Sequence, residues 1–314
     1  MTPGFNTSNL DNVTEPRKTA IIDRELNRLS LDIAALQETR LADSGTLREK
    51  DYTFFWKGLG KEDRRLHGVG FVIHNRLLDK ISTPRGINER IIAMELQTRS
   101  GKAHIISAYA PTLAAEDEKK VKFYEELQHE INIIPKADQL FILGDFNARV
   151  GSDHQTWPSC LGRFGLGKIN ENGQRLLEFC ASNNLCITNT FYNGKDHHKA
   201  TWRHPRSGHW HQIDFIITRR DAINAVNQAR SFHSADCNTD HLLIRAKTKI
   251  FAKKLERSQH TRKPKINTCY ISDSSLKTKF QENFGKHLQE YDESSPDIMW
   301  NSIKTAMYSS ALNT

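Results

Sequence analysis

Short apolar runs that meet carboxylates at their ends most narrow what this chain can become. Ile33-Ala34-Ala35-Leu36 leads into Gln37 and Glu38, and Leu140-Phe141-Ile142-Leu143 leads into Gly144-Asp145-Phe146-Asn147. Gln212-Ile213-Asp214-Phe215 carries its acid inside an apolar stretch, and Thr239-Asp240-His241 opens Leu242-Leu243-Ile244. Runs this short, bounded by polar turns, read as buried strands. Strand ends gather in space even when distant in sequence, so the acids at 38, 145, 214 and 240 are expected to converge. Clustered carboxylates repel one another unless a cation holds them, and oxygen donors suit a hard divalent ion. With His241 and Asn147 added, the set fits metal-assisted attack of water on a phosphate ester.

The rest of the composition bounds the partners. The chain has 314 residues, 37% of them apolar and 26% charged, which describes a globular protein with one large core or a domain plus an appendage. Its formal net charge of +8 and pI near 9.2 favour a polyanionic partner such as nucleic acid or an anionic membrane, although many soluble proteins are mildly basic without one, so the distribution of charge must decide. The five cysteines (Cys160, Cys180, Cys186, Cys237 and Cys269) lack the short pairings of a thiolate zinc site, and the odd count argues against a disulfide framework. A reducing interior compartment fits, nuclear if the substrate is DNA and otherwise cytoplasmic. Met1–Leu10 has no cationic start before an apolar core, so no secretory signal is read there. No apolar run approaches a membrane span, so no membrane partner is expected. The sequons at Asn6 and Asn12 are read as chance matches.

Helical spacing runs over 17–29, 116–133 and 172–183, the last with Leu176, Leu177, Phe179 and Cys180 inward. Strands are expected over 32–36, 69–74, 91–96, 103–109, 139–143, 213–218 and 242–246. Helices and strands intermix, and several strands lie close enough for hairpins. The expected fold is α/β, a four-layered sandwich of two packed mixed β-sheets flanked by helices. The domain spans 1–248. A basic linker follows at 249–265, where Lys249, Lys253, Lys254, Arg257, Arg262, Lys263 and Lys265 face one acid, Glu256. Leu276, Phe280, Phe284 and Leu288, then Ile298, Met299, Ile303 and Met307, predict two helices in a segment over 266–314.

Each motif has a bland alternative. Gly144 to Asn147 taken alone is a polar turn after a strand; taken with the others, Asp145 orients or deprotonates water and Asn147 donates to a phosphate oxygen. Glu38 alone is a solvated turn residue. Asp214 inside an apolar run needs a buried partner, and His241 is the obvious one. An aspartate on one ring nitrogen fixes the tautomer and leaves the other nitrogen for a phosphate; a purely structural Asp–His pair is the alternative. Gly162 to Lys168 imitates a phosphate-binding loop, but Ile169 stands where a hydroxyl must hold magnesium and no apolar strand precedes it. Residues 195–211 interleave Lys199, Arg203 and Arg206 with Trp202 and Trp210. Their position just before Asp214 suggests a wall for a nucleic-acid strand, with cations for phosphates and tryptophans for bases. The five histidines of that stretch are read as solvated loop residues rather than a zinc site.

Together the clusters resemble the endonuclease/exonuclease/phosphatase superfamily, the group of exonuclease III and the abasic-site endonucleases. Residues 36–40, 144–151, 199–220 and 234–241 are similar to the endonuclease of RTE/BovB-type non-LTR retrotransposons and the derived craniofacial development protein 2-like proteins. The resemblance implies a DNase I-like fold over 1–248. It also implies a Mg²⁺-dependent DNA endonuclease, with Mn²⁺ as a substitute and no small-molecule cofactor, that nicks target DNA beside a reverse transcriptase in a parent polyprotein. By motif, Asn6 would orient the water-activating carboxylate, Glu38 would be the principal metal ligand, and Tyr109 of Tyr109-Ala110-Pro111 would contact phosphate. Asp145 would activate water, Asn147 would steady the transition state, Asp214 would hold His241 against the scissile phosphate, and Asp240 would support the metal. Ser8, Thr112 and Gln212 depart from the abasic-site pattern, which weakens that specificity and leaves the hydrolytic core intact. Two alternatives stay open: a relative acting on inositol phosphates, sphingomyelin or nucleotides, and a domesticated fragment that binds nucleic acid or protein without cutting.

Overall fold

The structure, a computed structural model, describes residues 17–235, 239–250, 272–287 and 296–314. The chain divides into two units between residues 255 and 256. In the first unit, α1 (Lys18–Arg28) precedes β1 (Ile33–Gln37), β2 (Ser44–Arg48), β3 (Tyr52–Lys57) and β4 (Val69–His74). Next come β5 (Arg85–Asn88), β6 (Ile91–Thr98), β7 (Gly101–Tyr109), α2 (Asp117–Asn132), β8 (Gln139–Asp145), α3 (Glu171–Ser182) and β9 (Leu185–Ile187). A short hairpin, β10 (Trp202–Arg203) with β11 (Trp210–His211), leads to β12 (Asp214–Arg219), β13 (Val226–Phe232) and β14 (Leu243–Thr248).

These strands form a four-stranded sheet in the order β1-β4-β3-β2 and a six-stranded sheet in the order β5-β6-β7-β8-β12-β9, with β13-β14 as a separate pair. Neighbours run antiparallel except β7 and β8. A parallel pair cannot be joined by a tight turn, and α2 supplies the crossover.

Alternation along the strands builds the layers. Ile106, Ala108, Leu140, Ile142, Phe215 and Ile217 of the six-stranded sheet meet Phe123, Leu127 and Ile131 of α2 and Leu176, Leu177 and Cys180 of α3. Their strand neighbours Ile105 and Phe141, with Ile92, Met94 and Leu96, face Val69, Phe71 and Ile73 of the other sheet. On that sheet's far side Tyr52, Phe54 and Val72 receive Ile22 and Leu26 of α1. The four expected layers are therefore helix, sheet, sheet and helices. Each fully buried aliphatic or Phe side chain stabilises them by roughly 1.5–3 kcal/mol.

The expected strands and helices fall within a few residues of the observed ones. Sequence reasoning passed over β2, β3, β5, β9 and β13, and the short strands β10 and β11. The polar solvent faces of β2 and β13 hide their alternation, whereas Tyr52-Thr53-Phe54-Phe55-Trp56 of β3 carried a plain β-propensity signal.

The second unit contains α4 (Ser274–His287) and α5 (Pro296–Leu312), and the Phe280 and Phe284 rings of α4 stack 6.1 Å apart. The basic stretch at 249–265 lies, beyond residue 250, outside the described residues, as does Asn6. No helix among the described residues is long and apolar enough to cross a membrane.

Candidate active site

The sheet register sets the site. Tyr109 at the end of β7 is the partner of Asp145 at the end of β8, and Asp145 is the partner of Asp214 at the start of β12. The three residues thus form one row across adjacent strands. Asp145 shares strand parity with Phe141, which places this row on the side facing the other sheet. Gly144 is needed here for closeness rather than for a turn: a Cβ on it would lie 1.9 Å from the Ala108 carbonyl oxygen of β7. The main chain turns at Asn147, whose φ is 47°, and its backbone N–H donates to Asp145 Oδ1 at 2.8 Å. Asn147 Nδ2 gives one hydrogen to the Ala110 carbonyl at 3.0 Å, which leaves its other hydrogen for a ligand. Asn172 on α3 donates to the carbonyls of both Asn147 and Pro111 and so ties the two motif loops together.

His241 reaches this row from the entrance of β14. Its Nδ1 lies 3.1 and 3.2 Å from the two Asp214 oxygens. Ligand atoms of Asp145, Asp214 and His241 all fall within 4.8 Å of one another. Glu38 enters from the end of β1, where Gln37 Nε2 donates to Ser107 Oγ of β7 at 3.1 Å and bridges the sheets. The Tyr109 hydroxyl donates to Glu38 Oε1 at 2.5 Å, and Arg40 Nη2 pairs with Oε2 at 3.0 Å. An apolar cavity of about 790 Å³ adjoins the acids and is lined by Leu36, Leu143, Leu242 and Ile244 together with Glu38, Asp145, Asp214 and His241.

The charges here are under stress. Burial, and next the Asp214 carboxylate, push Asp145 up to about 8. Burial works against the His241 cation, but Asp214 overcomes it and holds the imidazole up at about 10. Burial and the bond to Glu38 raise the Tyr109 phenol. An acid driven this far from its ordinary value is one that positive charge would relieve; the Asp145, Asp214 and His241 ligand atoms lie close enough together to hold a metal ion, and Glu38 lines the same cavity.

The other expected residues spread around this core. Asp240 is exposed and accepts the Trp202 indole N–H at 3.1 Å. Burial would raise its carboxyl, but that bond and the His241 charge bring it below the ordinary aspartate range. Trp202 also forms a β-bridge with His241. The hairpin leaves Trp210 43% exposed, and Arg203 and Arg206 are exposed beside it. Lys199 is turned inward instead, bonded to Asp196 at 3.1 Å and lying over the Phe164 ring.

Sequence reasoning missed three supporting groups. Thr201 is fully buried, and its Oγ1 accepts from the backbone N–H groups of Ile213 and Asp214 at 3.0 and 3.2 Å. Arg90 lies over the Tyr109 ring and donates to the Tyr109 carbonyl at 3.0 Å. Arg40 pairs with Glu38. Only Arg40, two residues past a motif acid, carried a signal that could have been read.

Comparison with known proteins places this geometry. Two curated relatives are named craniofacial development protein 2. The one from Bos taurus is 37% identical over 235 residues, covering 75% of this chain and 39% of that protein; the one from Tragulus javanicus is 36% identical over 264 residues, covering 84% and 45%. The chain thus spans less than half the length of these relatives. Among solved structures, the Xenopus laevis APE2 catalytic domain aligns with a TM-score of 0.58 at 14% identity, over 76% of this chain and 90% of that one. An AP endonuclease from Archaeoglobus fulgidus gives 0.54 at 15%, over 74% and 94%. The endonuclease domain of TRAS1, a telomere-specific non-LTR retrotransposon, gives 0.51 at 16%, over 74% and 92%. At these identities the likeness shows the shared fold, the DNase I-like sandwich. A sequence profile matches residues 5–263, a span that takes in β1, β8, β12 and the entrance to β14 and so every acid of the cluster. The chain belongs to the Endonuclease/Exonuclease/phosphatase family.

Proposed function

We propose that this chain is a Mg²⁺-dependent endonuclease that hydrolyses phosphodiester bonds of DNA, the activity that target-site nicking by a retrotransposon requires. The observation that carries the reading is the row Tyr109–Asp145–Asp214 with His241 bonded to Asp214, because it gathers a base, a cation and metal-binding oxygens at one sheet end. Glu38, with the Asp145–Asp214 end of the cluster, would hold the ion, and Asp240 would support it once released from Trp202. Bound there, magnesium, or manganese in its place, supplies Lewis-acid neutralisation of charge on the phosphate oxygens. Asp145 accepts the proton of the attacking water. Its carboxylate form, which a cation in the site would favour, is the form that can take that proton. His241, a cation held by Asp214, donates Nε2–H to a non-bridging oxygen, and Asn147 offers its unspent amide hydrogen to another. The Tyr109 hydroxyl has one proton and gives it to Glu38, so its first task is to orient that carboxylate; phosphate contact requires this bond to exchange. Asn6 would orient Asp145.

DNA is the preferred substrate because exposed Arg203, Arg206 and Trp210 stand on the hairpin that joins Thr201 and Trp202 to the site. Such a substrate implies a nuclear protein and, in a parent polyprotein, a reverse transcriptase as partner. The test is conversion of supercoiled plasmid to the nicked form with and without Mg²⁺, run beside inositol phosphate, sphingomyelin and nucleotide substrates. Metal-dependent nicking abolished by Asp145→Ala and His241→Ala supports the proposal. Equal products from wild type and both variants, or preference for a small phosphoester, would overturn it.

A further inference from the structure

Both oxygens of Glu38 are bonded to hydrogens of the protein itself: Oε1 takes the Tyr109 hydroxyl and Oε2 takes the Arg40 guanidinium. Each oxygen has a second lone pair for an ion, but an ion bound there shares the carboxylate with the Arg40 cation and competes with it for the charge. The two bonds are unequal in their setting. Tyr109 is buried in the layer between the sheets. The Arg40–Glu38 pair lies on the open side, with side chains 29% and 25% exposed, where solvent weakens such pairs. Arg40 is also imperfectly satisfied, because its Nε is buried with no hydrogen-bond partner. A buried donor without an acceptor favours any move that gives it one.

The backbone around it is fixed. Glu38 and Arg40 both have left-handed φ, 51° and 55°. The N–H groups of Thr39 and Arg40 donate to the carbonyls of Gly68 and His67, each at 3.0 Å. Exchange at Glu38 is therefore a swing of the guanidinium and needs no movement of the chain.

We propose that Arg40 is a placeholder cation: it neutralises Glu38 in the metal-free protein, is displaced when the divalent ion binds, and then offers its guanidinium to a phosphate of the substrate strand. The inference rests on the reading that this site binds a divalent ion. Because the incoming ion both breaks an ion pair and sits beside a like charge, Arg40 lowers the affinity for metal. Metal binding in turn releases the fork of donors that suits a phosphodiester.

Calorimetric titration of Mn²⁺ into the DNA-free protein tests this without any turnover. Arg40→Met is expected to bind the ion about two- to fivefold more tightly, the scale of a partly exposed ion pair. Arg40→Lys, which keeps the charge, should stay near wild type. Arg40→Asn tolerates the left-handed backbone and repeats the measurement if the Met variant folds poorly. Unchanged or weaker ion affinity in the folded neutral variants would overturn the placeholder role while leaving the metal site standing. No ion binding by wild type would remove the metal reading and this inference together. With the ion saturating, affinity for a phosphorothioate DNA duplex should fall in Arg40→Met; equal affinity would rule out the phosphate contact.

Discussion

Asp214 stands directly opposite Asp145 across the β8–β12 pair; burial first, and this apposition second, push the Asp145 carboxyl up to about 8. The group's unfolded value is near 3.8. Between these values the native state holds a proton that the unfolded chain has released. Stability of the metal-free protein therefore falls as pH rises from about 4 to about 8, by at most ~1.4 kcal/mol per pH unit. Asp145→Asn removes this penalty and the proton acceptor together. In chelator at pH 8 the variant should melt several degrees above wild type, at roughly 2–4 °C per kcal/mol for a domain of this size, and should not nick plasmid. A melting point equal to wild type across the pH range would show that the two carboxylates are not in conflict.

His241 titrates in a different window. Asp214 holds it up at about 10 against an ordinary value of 6.5. The stabilisation from the Asp214–His241 pair is fully present below 6.5 and is lost as pH rises towards 10. Asp214→Asn should flatten the stability profile between those limits and also shrink the acidic limb, because it removes part of what raises Asp145 and leaves burial, with Glu38, to hold that carboxyl up. Melts of wild type and variant in steps of one pH unit read this directly; parallel curves above pH 7 would mean that the imidazole is neutral.

How much of this was legible depended on where the information lay. Acids at the ends of short apolar runs were readable because a buried strand leaves few places for a charge, and Asp214, flanked by Ile213 and Phe215, demanded the partner it has in His241. The strand register that aligns Asp145 with both Tyr109 and Asp214 is a property of pairing between distant segments, and no local pattern encodes it. The role of Gly144 was read as a turn, whereas the Ala108 carbonyl shows it to be a matter of close approach. Lys199 counted as a free cation on composition, but its contact with Phe164 and Asp196 arises only from the folded loop. Buried Thr201 and half-buried Arg90 carry no sequence mark that separates them from surface residues.

Metal should act as a ligand of the native state alone. Added Mg²⁺ or Mn²⁺ should raise the melting point in proportion to RT ln(1 + [L]/Kd), about 2.7 kcal/mol at a hundredfold excess over Kd, and chelator should reverse it. Glu38→Gln keeps an acceptor for Tyr109 and loses the charge, so its melting point should be nearly indifferent to the ion. A full metal-induced shift in that variant would move the principal ligand elsewhere in the cluster.

The hairpin separates affinity from chemistry. Arg206→Ala and Trp210→Ala alter exposed side chains away from the acid row. Each should weaken DNA binding, and the Arg206 variant should also reduce the slope of log K against log salt by about one. Turnover at saturating DNA should change little. Filter binding at several salt concentrations checks this; unchanged binding in both variants would place the DNA on another face.

Thr201 joins the hairpin to the row of acids, and its loss should be felt in both. Its buried Oγ1 is the acceptor for two backbone donors, the N–H groups of Ile213 and Asp214. Its own carbonyl accepts from Leu242 N–H at 2.7 Å, next to His241. Thr201→Val keeps the volume and replaces the hydroxyl with a methyl group, leaving two buried donors unpaired at about 1–3 kcal/mol each. The strand end that carries Asp214 should relax, the Asp214–His241 bond should lengthen, and nicking should fall about tenfold or more. Thr201→Ser restores the acceptor and should recover most of the activity, although it loses a methyl group. If Val and Ser behave alike, packing rather than the hydroxyl holds this end of the sheet.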